Sequence, residues 1–596
     1  MLTVLLNWIY IFVTTYVTGN ACLRLLNRLF RGKGAERKES PFYDLFAGIM
    51  CTTCYAQVYS LFGGVGVLAD LLLLGFCVIY GAVFGKRMFA ELAAWKESAW
   101  TKPEGNPLEN VGAGQPKAGK MIVRIDKMMP VLLPVVVVLS LIVYALSSSG
   151  APKLIDTDWY HAQTIRWIEE FGCVTGVANL FYSLGFNSAQ HYFDALYSMK
   201  DLLGQSMHAT GGYFGWLMLL HGLSRLAGFR KHKRHIADSL ALAEVVYSII
   251  VTAFFADPYT DTLPNCLVFF ILTEWFILLE DEEEDVFPYA FLCVFGVFAT
   301  VVKTSVAMVV LLVIQPAIWL IKKKEWKKIA GYLFTGILVA IPFFVTNIRT
   351  TGYLVYLASF ADWFDVPWKI DIEVLKYSVD SMVHAARAID MPMEEALHGG
   401  LSWVKVWFRN DSISHKILYL AIFGLLLFDL AGLVSRLLRK EKIELPMLLP
   451  RAIVLIGLIY WFFTIPQVKY CWVFLLFPLA VIPAIYLEKF KDRRRKITIL
   501  AAIGAGGVLF MYSGFYGLRT LGYVKDAIPN HLIRQADYAR YEMVPVEKDG
   551  LTFYVREEGG AITCGYYVFP YLNDEELLEQ LVVGKELKDG FALQNK

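Results

Sequence analysis

Fourteen strongly apolar segments recur along the whole chain, and they constrain its fold more than any other feature. A helix needs about 20 largely apolar residues to cross the hydrocarbon core of a bilayer. Only 18% of the residues are charged, against about 25% in soluble proteins. The sequence therefore predicts an all-α polytopic membrane protein with about 13–14 transmembrane helices. The predicted spans lie near residues 3–25, 43–63, 65–85, 129–147, 211–228, 238–256, 265–280, 287–303, 305–321, 329–346, 416–435, 446–464, 471–487 and 497–516.

The overall charge balance excludes some partners. The formal net charge is only +2, so nothing favours nucleic acid, and membrane lipids are the expected surroundings. The first apolar segment has no Lys or Arg before it and no small-residue cleavage site after it. We therefore expect it to remain as an anchor rather than act as a signal peptide. No internal repeat is detectable, which weakens a transporter built from two related halves.

The distribution of Lys and Arg predicts the orientation in the membrane. With the N-terminus outside, six loops become cytoplasmic, and together they hold 33 of the 56 Lys and Arg residues, as the positive-inside rule requires. Both termini then lie outside, as parts of a multi-pass membrane protein. The six loops are 24–40, 86–127, 229–238, 322–328, 436–442 and 489–496.

This orientation predicts three parts and an outward-facing site. Residues 1–128 form N-terminal transmembrane helices and a flexible, Gly- and Pro-rich cytoplasmic connector. Residues 129–516 form the transmembrane core, with long outer loops at 148–210 and 347–415. Residues 517–596 form a small extracytoplasmic C-terminal cap of mixed α/β structure. Since the long segments lie outside, we expect the chemistry there.

The densest group of unusual residues follows the fourth predicted span. A carboxylate held there, at the outer membrane surface, could accept a proton from a sugar hydroxyl. The alternative is that Asp156 caps a helix beginning near Trp159. Amphipathic stretches at Thr164 to Phe171 and at Gln190 to Gly204 predict helices lying in the interface, with Trp159 and Trp167 at headgroup level. The group reads Leu154-Ile155-Asp156-Thr157-Asp158-Trp159-Tyr160-His161-Ala162-Gln163.

A set of motifs from about residue 150 to the end resembles a known family. It resembles uncharacterised multi-pass bacterial membrane proteins that are usually grouped with the GT-C-fold glycosyltransferases. The first 128 residues add little beyond hydropathy. The motifs are Asp156-Thr157-x-x-Tyr160-His161-Ala162-Gln163-x-Ile165-Arg166-Trp167-Ile168-Glu169-Glu170, Gly176-x-x-Asn179-Leu180, Gly185-Phe186-Asn187-Ser188, Asp257-Pro258-x-x-Asp261, Lys303-x-Ser305, Asn347-x-Arg349-x-x-Gly352-Tyr353, Phe364-Asp365-Val366-x-Trp368-Lys369, Trp461-Phe462-Phe463-x-x-Pro466 and Asp589-Gly590-Phe591.

The resemblance implies a GT-C-like core and a sugar donor linked to a lipid, commonly a polyprenyl phosphate. It also implies a location in the bacterial plasma (inner) membrane and a key acidic residue in the first long outer loop. Two positions depart from the family pattern. Lys469 stands where an arginine is expected after Pro466, which keeps a cation but loses the planar fork. Asp158 stands where the family is not acidic, and it supplies either a second carboxylate or a solvated side chain.

Three cations are predicted at the outer boundary, where the phosphate of such a donor would lie. A phosphate leaving group needs positive charge more than a general acid. Lys303 falls between two apolar runs, Arg349 follows the tenth span, and Lys469 begins the thirteenth. Snorkelling to the interface or anchoring there is the alternative for each of them. The remaining candidates, Tyr160, His161 and Gln163, are predicted to contact sugar.

Several secondary expectations follow from the same residues. No cofactor is expected, although His161 beside Asp156 and Asp158 leaves a divalent metal as an alternative. Capping of the seventh span is the predicted role of Asp261. Runs of β-branched and aromatic residues predict strands around 544–546, 551–555 and 564–567. A Cys173–Cys564 disulfide remains open if the C-terminal cap meets the first outer loop.

The sequence thus predicts an integral membrane glycosyltransferase of polysaccharide biosynthesis. It would move a sugar from a polyprenyl-phosphate-linked donor to a glycan or lipid acceptor of the cell envelope, with Asp156 as base and Asp158 as substitute. One alternative is a lipid-linked glycan polymerase or ligase with a lipid-diphosphate donor. The other is a transporter or flippase of glycolipids, which would place ionisable residues in the middle of several spans. Such mid-span residues are few, notably Asp70, Glu274 and Asp429.

Overall fold

The computed structural model describes residues 1–32, 39–100, 117–227, 234–441, 444–489, 492–556 and 563–594, and these are overwhelmingly helical. The helices are α1 (Leu2–Phe30), α2 (Pro41–Ser60), α3 (Val67–Trp100), α4 (Lys117–Ser148), α5 (Ala162–Glu170), α6 (Ala189–Leu196), α7 (Lys200–Leu203), α8 (Thr210–Ala227), α9 (His235–Ile250), α10 (Thr262–Glu280), α11 (Val286–Val302), α12 (Ile314–Lys322), α13 (Trp326–Thr351), α14 (Ile372–Ala388), α15 (Met393–His398), α16 (Ser402–Asn410), α17 (Ile413–Leu438), α18 (Leu445–Phe463), α19 (Trp472–Lys489), α20 (Asp492–Ala527) and α21 (Leu577–Gln580).

Short tight helical turns and two small sheets complete the fold. The 3₁₀ segments are Val177–Asn179, Tyr182–Gly185, Val251–Phe254, Thr304–Val313, Ser359–Ala361, Val468–Tyr470 and Leu587–Asp589, and Thr157–His161 is a π-helical turn. Each sheet is an antiparallel pair, and the strands are β1 (Val544–Lys548) with β2 (Leu551–Val555) and β3 (Leu581–Val583) with β4 (Phe591–Leu593).

The predicted all-α polytopic architecture is confirmed. Among the described residues, nine helices are long and apolar enough to cross a membrane, and three shorter apolar ones accompany them. The remaining two predicted segments, 43–63 and 211–228, fall on α2 and α8, so each of the fourteen lies on helical structure. The predicted connector 86–127 is helical up to Trp100 and again from Lys117. The part between these two helices lies outside the described residues.

Helices α1 and α2 pack unusually closely because each has a glycine at the crossing. A Cβ atom on Gly19 would lie 1.7 Å from the carbonyl oxygen of Asp44. A Cβ on Gly48 would lie equally close to the carbonyl oxygen of Thr15. Small residues let helix backbones approach within a bilayer, where burial of apolar surface gives helices no advantage over lipid. At the centre of the bundle, α10 is buried along almost its whole length.

Segments predicted to lie on the same side of the membrane meet in the structure. On the predicted outer side, the amide of Cys173 donates to the carbonyl of Ser60 at 2.8 Å. On the predicted inner side, the Arg31 guanidinium pairs with the Asp285 carboxylate at 2.6 Å. The loop after α4 and the C-terminal residues also pack together around a shared apolar cluster, which includes Trp167.

That packing changes two expectations. Helices α5 and α6, predicted to lie in the interface, are almost entirely buried, and Trp167 packs on Phe569 with ring centroids 4.6 Å apart. The C-terminal residues cover the face of α5 that would otherwise meet headgroups, whereas α6 is buried in the main core against α2. The strands predicted at 544–546 and 551–555 form, whereas 564–567 is a turn, in which Gly565 has a left-handed φ of 63°.

Candidate active site

The loop that carries Asp156 is held by a carboxylate from another part of the chain. Asp257 follows α9, and its Oδ1 accepts hydrogen bonds from the backbone amides of Lys153 (2.9 Å) and Leu154 (3.0 Å). The Thr157 hydroxyl donates to the same oxygen at 2.8 Å. Burial raises the pKa of Asp257 to about 6. The side chain of Asp156 makes no capping hydrogen bond to the helical turn that follows, so the capping alternative for this residue is wrong.

Asp156 instead takes part in a cluster of two lysines and two aspartates around one tyrosine. The Lys469 ammonium donates to Asp156 Oδ2 at 3.0 Å. The Lys303 ammonium pairs with Asp261 Oδ1 at 3.1 Å. Each of the two nitrogens lies 5.0 Å from the ring centroid of Tyr470, so they are within twice that distance of each other. Two of the three predicted cations therefore lie against the same tyrosine ring, and one of them is bound to Asp156.

A break in a helix pair positions Lys303. Helix α11 ends at Val302, and Lys303 itself is extended, with φ −152° and ψ 120°. The chain then continues as the 3₁₀ segment Thr304–Val313. The extended residue turns its side chain towards the residues before α10, where Thr260 accepts a second hydrogen bond from the ammonium at 3.2 Å. Lys303 is thus held inside the protein rather than snorkelling to a headgroup.

A buried histidine pair lies beside this cluster. His161 Nδ1 and His191 Nε2 are 2.7 Å apart, and both side chains are fully inside the protein. Burial lowers the pKa of His161 well below its usual value, and the charges of Lys303 and Lys469 lower it further. Burial also lowers the pKa of His191, with contributions from His161 and Lys303. The pair is therefore neutral at physiological pH, and His161 contacts His191 rather than solvent.

Asp158 and Gln163 connect the loop to the C-terminal residues instead of joining the cluster. The Asp158 carbonyl accepts from the amides of Cys564 (3.0 Å) and Gly565 (2.8 Å), and its carboxylate accepts from Tyr541 at 2.7 Å. The Gln163 amide donates to the Gly565 carbonyl at 3.0 Å. Burial raises the pKa of Asp158. These contacts give both side chains a structural task.

Arg349 is also engaged away from the cluster. Its guanidinium donates to the Leu61 carbonyl at 2.7 Å and to the Thr175 hydroxyl at 3.2 Å. It therefore fastens the end of α13 to the loop after α2. A guanidinium committed to a backbone carbonyl has fewer donors left for a phosphate.

A cavity of about 210 Å³ adjoins the cluster between the ends of α11, α13 and α18. Lys303, Tyr470 and Tyr160 form its polar side, together with Asn347 from the motif that precedes Arg349. Trp461 of α18 adds an aromatic wall. Burial raises the pKa of Tyr160 far above its usual value, with the Asp156 charge contributing, so its phenol stays protonated and can donate.

The cluster contains residues that the sequence did not single out for this task. Asp261 was predicted to cap α10, but its carboxylate makes no capping hydrogen bond and pairs with Lys303 instead. Tyr470 was not singled out, although it neighbours Lys469. His191, the partner of His161, was not singled out either. The pairing Asp257-Pro258-x-x-Asp261 among the family motifs was the signal that could have pointed to Asp261.

Two further expectations concern the arrangement of potential metal ligands and of two cysteines. Within the described residues, no group of three or more His, Cys, Asp and Glu side chains is arranged to hold a metal ion. Cys173 and Cys564 are both free and buried, although the segments that carry them pack together. The disulfide left open by the sequence is therefore absent.

Comparison with known protein families assigns the chain to one of them. A family model matches residues 1–106 and 119–476. The chain belongs to the family described as a domain of unknown function, DUF8201. The DUF8201 match includes Asp156, Lys303 and Lys469, so the whole cluster lies within it, whereas residues 477–596 lie beyond it. No curated protein matches the chain. No solved structure matches it either.

Proposed function

We propose that this protein is a GT-C-like integral membrane glycosyltransferase. It would move one sugar from a polyprenyl-phosphate-linked donor to a cell-envelope acceptor on the outer face of a bacterial plasma membrane. The observation that carries the proposal is the meeting of Lys303, Lys469 and Asp156 around Tyr470, beside a cavity between apolar helices. These are the two kinds of group that transfer from a lipid phosphate requires.

The chemistry assigns a role to each member of the cluster. The acceptor hydroxyl oxygen forms a bond to the anomeric carbon of the donor sugar, and its proton passes to the Asp156 carboxylate. The bond between the anomeric carbon and the phosphate oxygen breaks, and its electron pair leaves with the polyprenyl phosphate. Lys303 and Lys469 stabilise the negative charge that grows on that leaving group. No general acid is needed because the phosphate is already a good leaving group.

Phosphate binding and base activation would be coupled through Lys469. In the pair, the Lys469 ammonium occupies Asp156 Oδ2. When the donor phosphate takes the ammonium of Lys469, the pair with Asp156 is broken and the carboxylate becomes available to the acceptor. The carboxylate is then free only when donor is present, which protects the site from unproductive proton transfer.

The size and setting of the cavity favour a single sugar on a lipid. Its volume of about 210 Å³ is below the roughly 300–1,000 Å³ of pockets that take drug-sized ligands. Apolar residues of α11 and α13, such as Val302 and Phe343, line it beside Lys303. A polyprenyl chain could lie among such residues while its phosphate meets Lys303, beside the Tyr470 ring that Lys469 also contacts. An oligosaccharide on a lipid diphosphate, as the polymerase alternative needs, would require more room.

The outer-face assignment rests on the positive-inside rule and on the contacts between loop ends. The cluster forms from the loop after α4, the start of α10, the end of α11 and the start of α19. All four are predicted to lie on the outer side. The two small sheets of the C-terminal residues would then form an extracytoplasmic cap over the same loop, through the contacts of Asp158 and Gln163.

The transporter alternative is weakened by the mid-span carboxylates, each of which has a partner. Asp70 accepts a hydrogen bond from Tyr10 at 3.0 Å. The Glu274 carboxylate pairs with Arg225 and with His221. Asp429 pairs with Arg451 at 2.8 Å. A translocation path through the bilayer would instead need ionisable groups that face a continuous aqueous route.

The test is sugar transfer by the purified protein in lipid nanodiscs, with labelled polyprenyl-phosphate sugars and a pool of envelope glycans. Wild type is expected to transfer label, while Asp156→Asn, Lys303→Met and Lys469→Met lose transfer. Lys153→Met is the matched control, because this lysine lies on the same loop but packs over Tyr523 outside the cavity. Failure of wild type both to transfer sugar and to bind polyprenyl phosphate would refute the proposal.

A further inference from the structure

A second cavity, of about 440 Å³, lies next to the cavity of about 210 Å³ described above, which we call the first cavity. A short segment of the chain lies between the two. The segment is residues 464–470, between α18 and α19. Thr464, Ile465 and Tyr470 line the first cavity, whereas residues 466–469 line the second. Lys469, the partner of Asp156, therefore belongs to the second cavity, while its neighbour Tyr470 belongs to the first. The segment therefore separates the two cavities, and the proposed base, Asp156, contacts it through Lys469.

The second cavity contains a hydrogen-bonded acid–histidine pair that the proposed reaction does not use. Asp411 Oδ1 and His415 Nδ1 are 2.6 Å apart, and the Tyr419 hydroxyl donates to Asp411 Oδ2 at 2.6 Å. Burial raises the pKa of Asp411, but the hydrogen bonds from His415 and Tyr419 outweigh it and lower the pKa below its usual value. Asp411 thus engages Nδ1 of the imidazole. Nε2 is the ring nitrogen that this pair leaves for a ligand.

The lining of the second cavity also includes residue types that are common in carbohydrate-binding sites. Trp407 and Trp472 offer aromatic surfaces, and Asn410, Gln467 and Lys469 offer polar groups. Aromatic rings cover the apolar faces of sugar rings, while amides and charged groups take the hydroxyls. At about 440 Å³ the cavity is twice the size of the first one.

The elements around the second cavity indicate how a substrate would reach it. Ala385–Ile389 at the end of α14, with Trp407 and Asn410 of α16, form one side, and they belong to the long predicted outer loop 347–415. The first cavity borders the ends of the spanning helices α11, α13 and α18, and Val355 and Met382 of the same outer loop line it as well. The outer-loop residues of the second cavity give a ligand a route to it from the aqueous side.

We propose that the second cavity is the acceptor site, and that the acceptor is a water-exposed glycan rather than a lipid. One of its hydroxyls would donate to His415 Nε2, and its sugar ring would pack on Trp407. Asp411 is a positioning residue that acts through His415. The assignment of the bound glycan as the acceptor rests on the proposed glycosyltransferase function. Carbohydrate binding in the cavity can be measured without any turnover.

The experiment follows the chemical modification of His415 in the full-length protein in nanodiscs. Diethyl pyrocarbonate acylates imidazole nitrogen, and peptide mass spectrometry reports each histidine separately. The probes are the methyl glycosides of glucose, galactose and mannose, with glycerol as a polyhydroxyl control. His384 is the internal control, since it lies in the same outer loop but bonds the Met391 carbonyl and does not line the cavity.

We expect at least one methyl glycoside to slow the acylation of His415 about tenfold at saturation, with no effect on His384 and none from glycerol. Trp407→Ala should remove that protection while His415 remains reactive. Asp411→Asn should weaken the protection, because the imidazole loses the partner that orients it. If none of the glycosides protects His415, or if glycerol protects it equally, the inference is overturned.

Polyprenyl phosphate binding separates this failure from failure of the proposed function. If wild type binds polyprenyl phosphate, Lys303→Met does not, and no glycoside protects His415, then the proposed donor site stands and only the acceptor site is refuted. Protection of His415 in a protein that binds no polyprenyl phosphate would leave a carbohydrate site without the proposed transferase. In an active preparation, His415→Ala should raise the KM for the glycan about tenfold and leave the KM for the donor unchanged.

Discussion

Replacing Asp156 by asparagine should tighten the binding of polyprenyl phosphate even though it abolishes sugar transfer. The ammonium of Lys469 is shared between two anions in the proposed mechanism, the Asp156 carboxylate and the donor phosphate. The variant removes the competitor but keeps the shape of the side chain. A residue that merely helped to bind the donor would show the opposite effect.

The size of the gain follows from the geometry of the pair. Lys469 Nζ and Asp156 Oδ2 are 3.0 Å apart, and the two side chains are 28% and 24% exposed. A hydrogen bond between charged groups contributes about 1.5–3 kcal/mol net, and partial exposure reduces this to about 1–2 kcal/mol. The affinity for the phosphate should therefore rise about 5- to 30-fold. Transfer should fall by about 10² to 10⁴, the usual contribution of a general base.

Calorimetric titration of nanodisc-embedded protein with a short-chain polyprenyl phosphate measures the affinity directly. Asp158→Asn is the matched control, because that carboxylate accepts from Tyr541 and should leave the phosphate affinity unchanged. Lys469→Met should weaken binding in both the wild-type and the Asp156→Asn background. Unchanged or weaker binding by Asp156→Asn would refute the idea that donor and base compete for Lys469.

Three further predictions concern the framework of the site. Gly19→Ala should lower the melting temperature measured by thermal unfolding, because its Cβ would lie 1.7 Å from a carbonyl oxygen of α2; Gly75→Ala, which meets open space, should leave it unchanged, and equal shifts would contradict the close crossing. Asp257→Ala should reduce kcat while preserving polyprenyl phosphate affinity, since it frees only the loop that carries the base; a parallel loss of both would contradict this. Because the folded-state pKa values of His161 and His191 are lowered, the unfolded chain binds more protons below about pH 6.5. The free energy of unfolding should then fall on acidification, by up to roughly 1.4 kcal/mol per pH unit for each histidine. In denaturant titrations at several pH values, His191→Gln should reduce this dependence of the free energy of unfolding on pH.

The spanning helices could be predicted from the sequence because their signal is local. An apolar run such as 329–346 needs no knowledge of its neighbours to be recognised as a helix, and α13 contains it. Helix ends were harder to predict. Helices α3 and α4 extend into the predicted connector because Ala, Lys and Glu are good helix formers outside the bilayer as well.

The site could be predicted only where a residue type was unusual for its surroundings. Lys303 and Lys469 were recognisable as cations at the ends of apolar runs. The pairing of these lysines with carboxylates could not be predicted, because the contact of Asp156 with Lys469 joins positions 313 residues apart. His191 was missed for the same reason, since the fold rather than spacing along the chain brings it to His161. Arg349 shows the reverse error, because a guanidinium at the right depth turned out to be committed to a backbone carbonyl.

The bond between the loop after α4 and the C-terminal residues affects when the site matures during biosynthesis. The backbone carbonyl of Asp158 accepts hydrogen bonds from the amides of Cys564 and Gly565. The ribosome adds Cys564, whose thiol contacts the same carbonyl, 406 residues after Asp158. A nascent chain that has inserted all its helices thus still lacks the support of this loop. A chain released before these residues are added would lack the hydrogen bonds that hold the loop, so the loop of the candidate site reaches its final form only after residues 564 and 565 have been made.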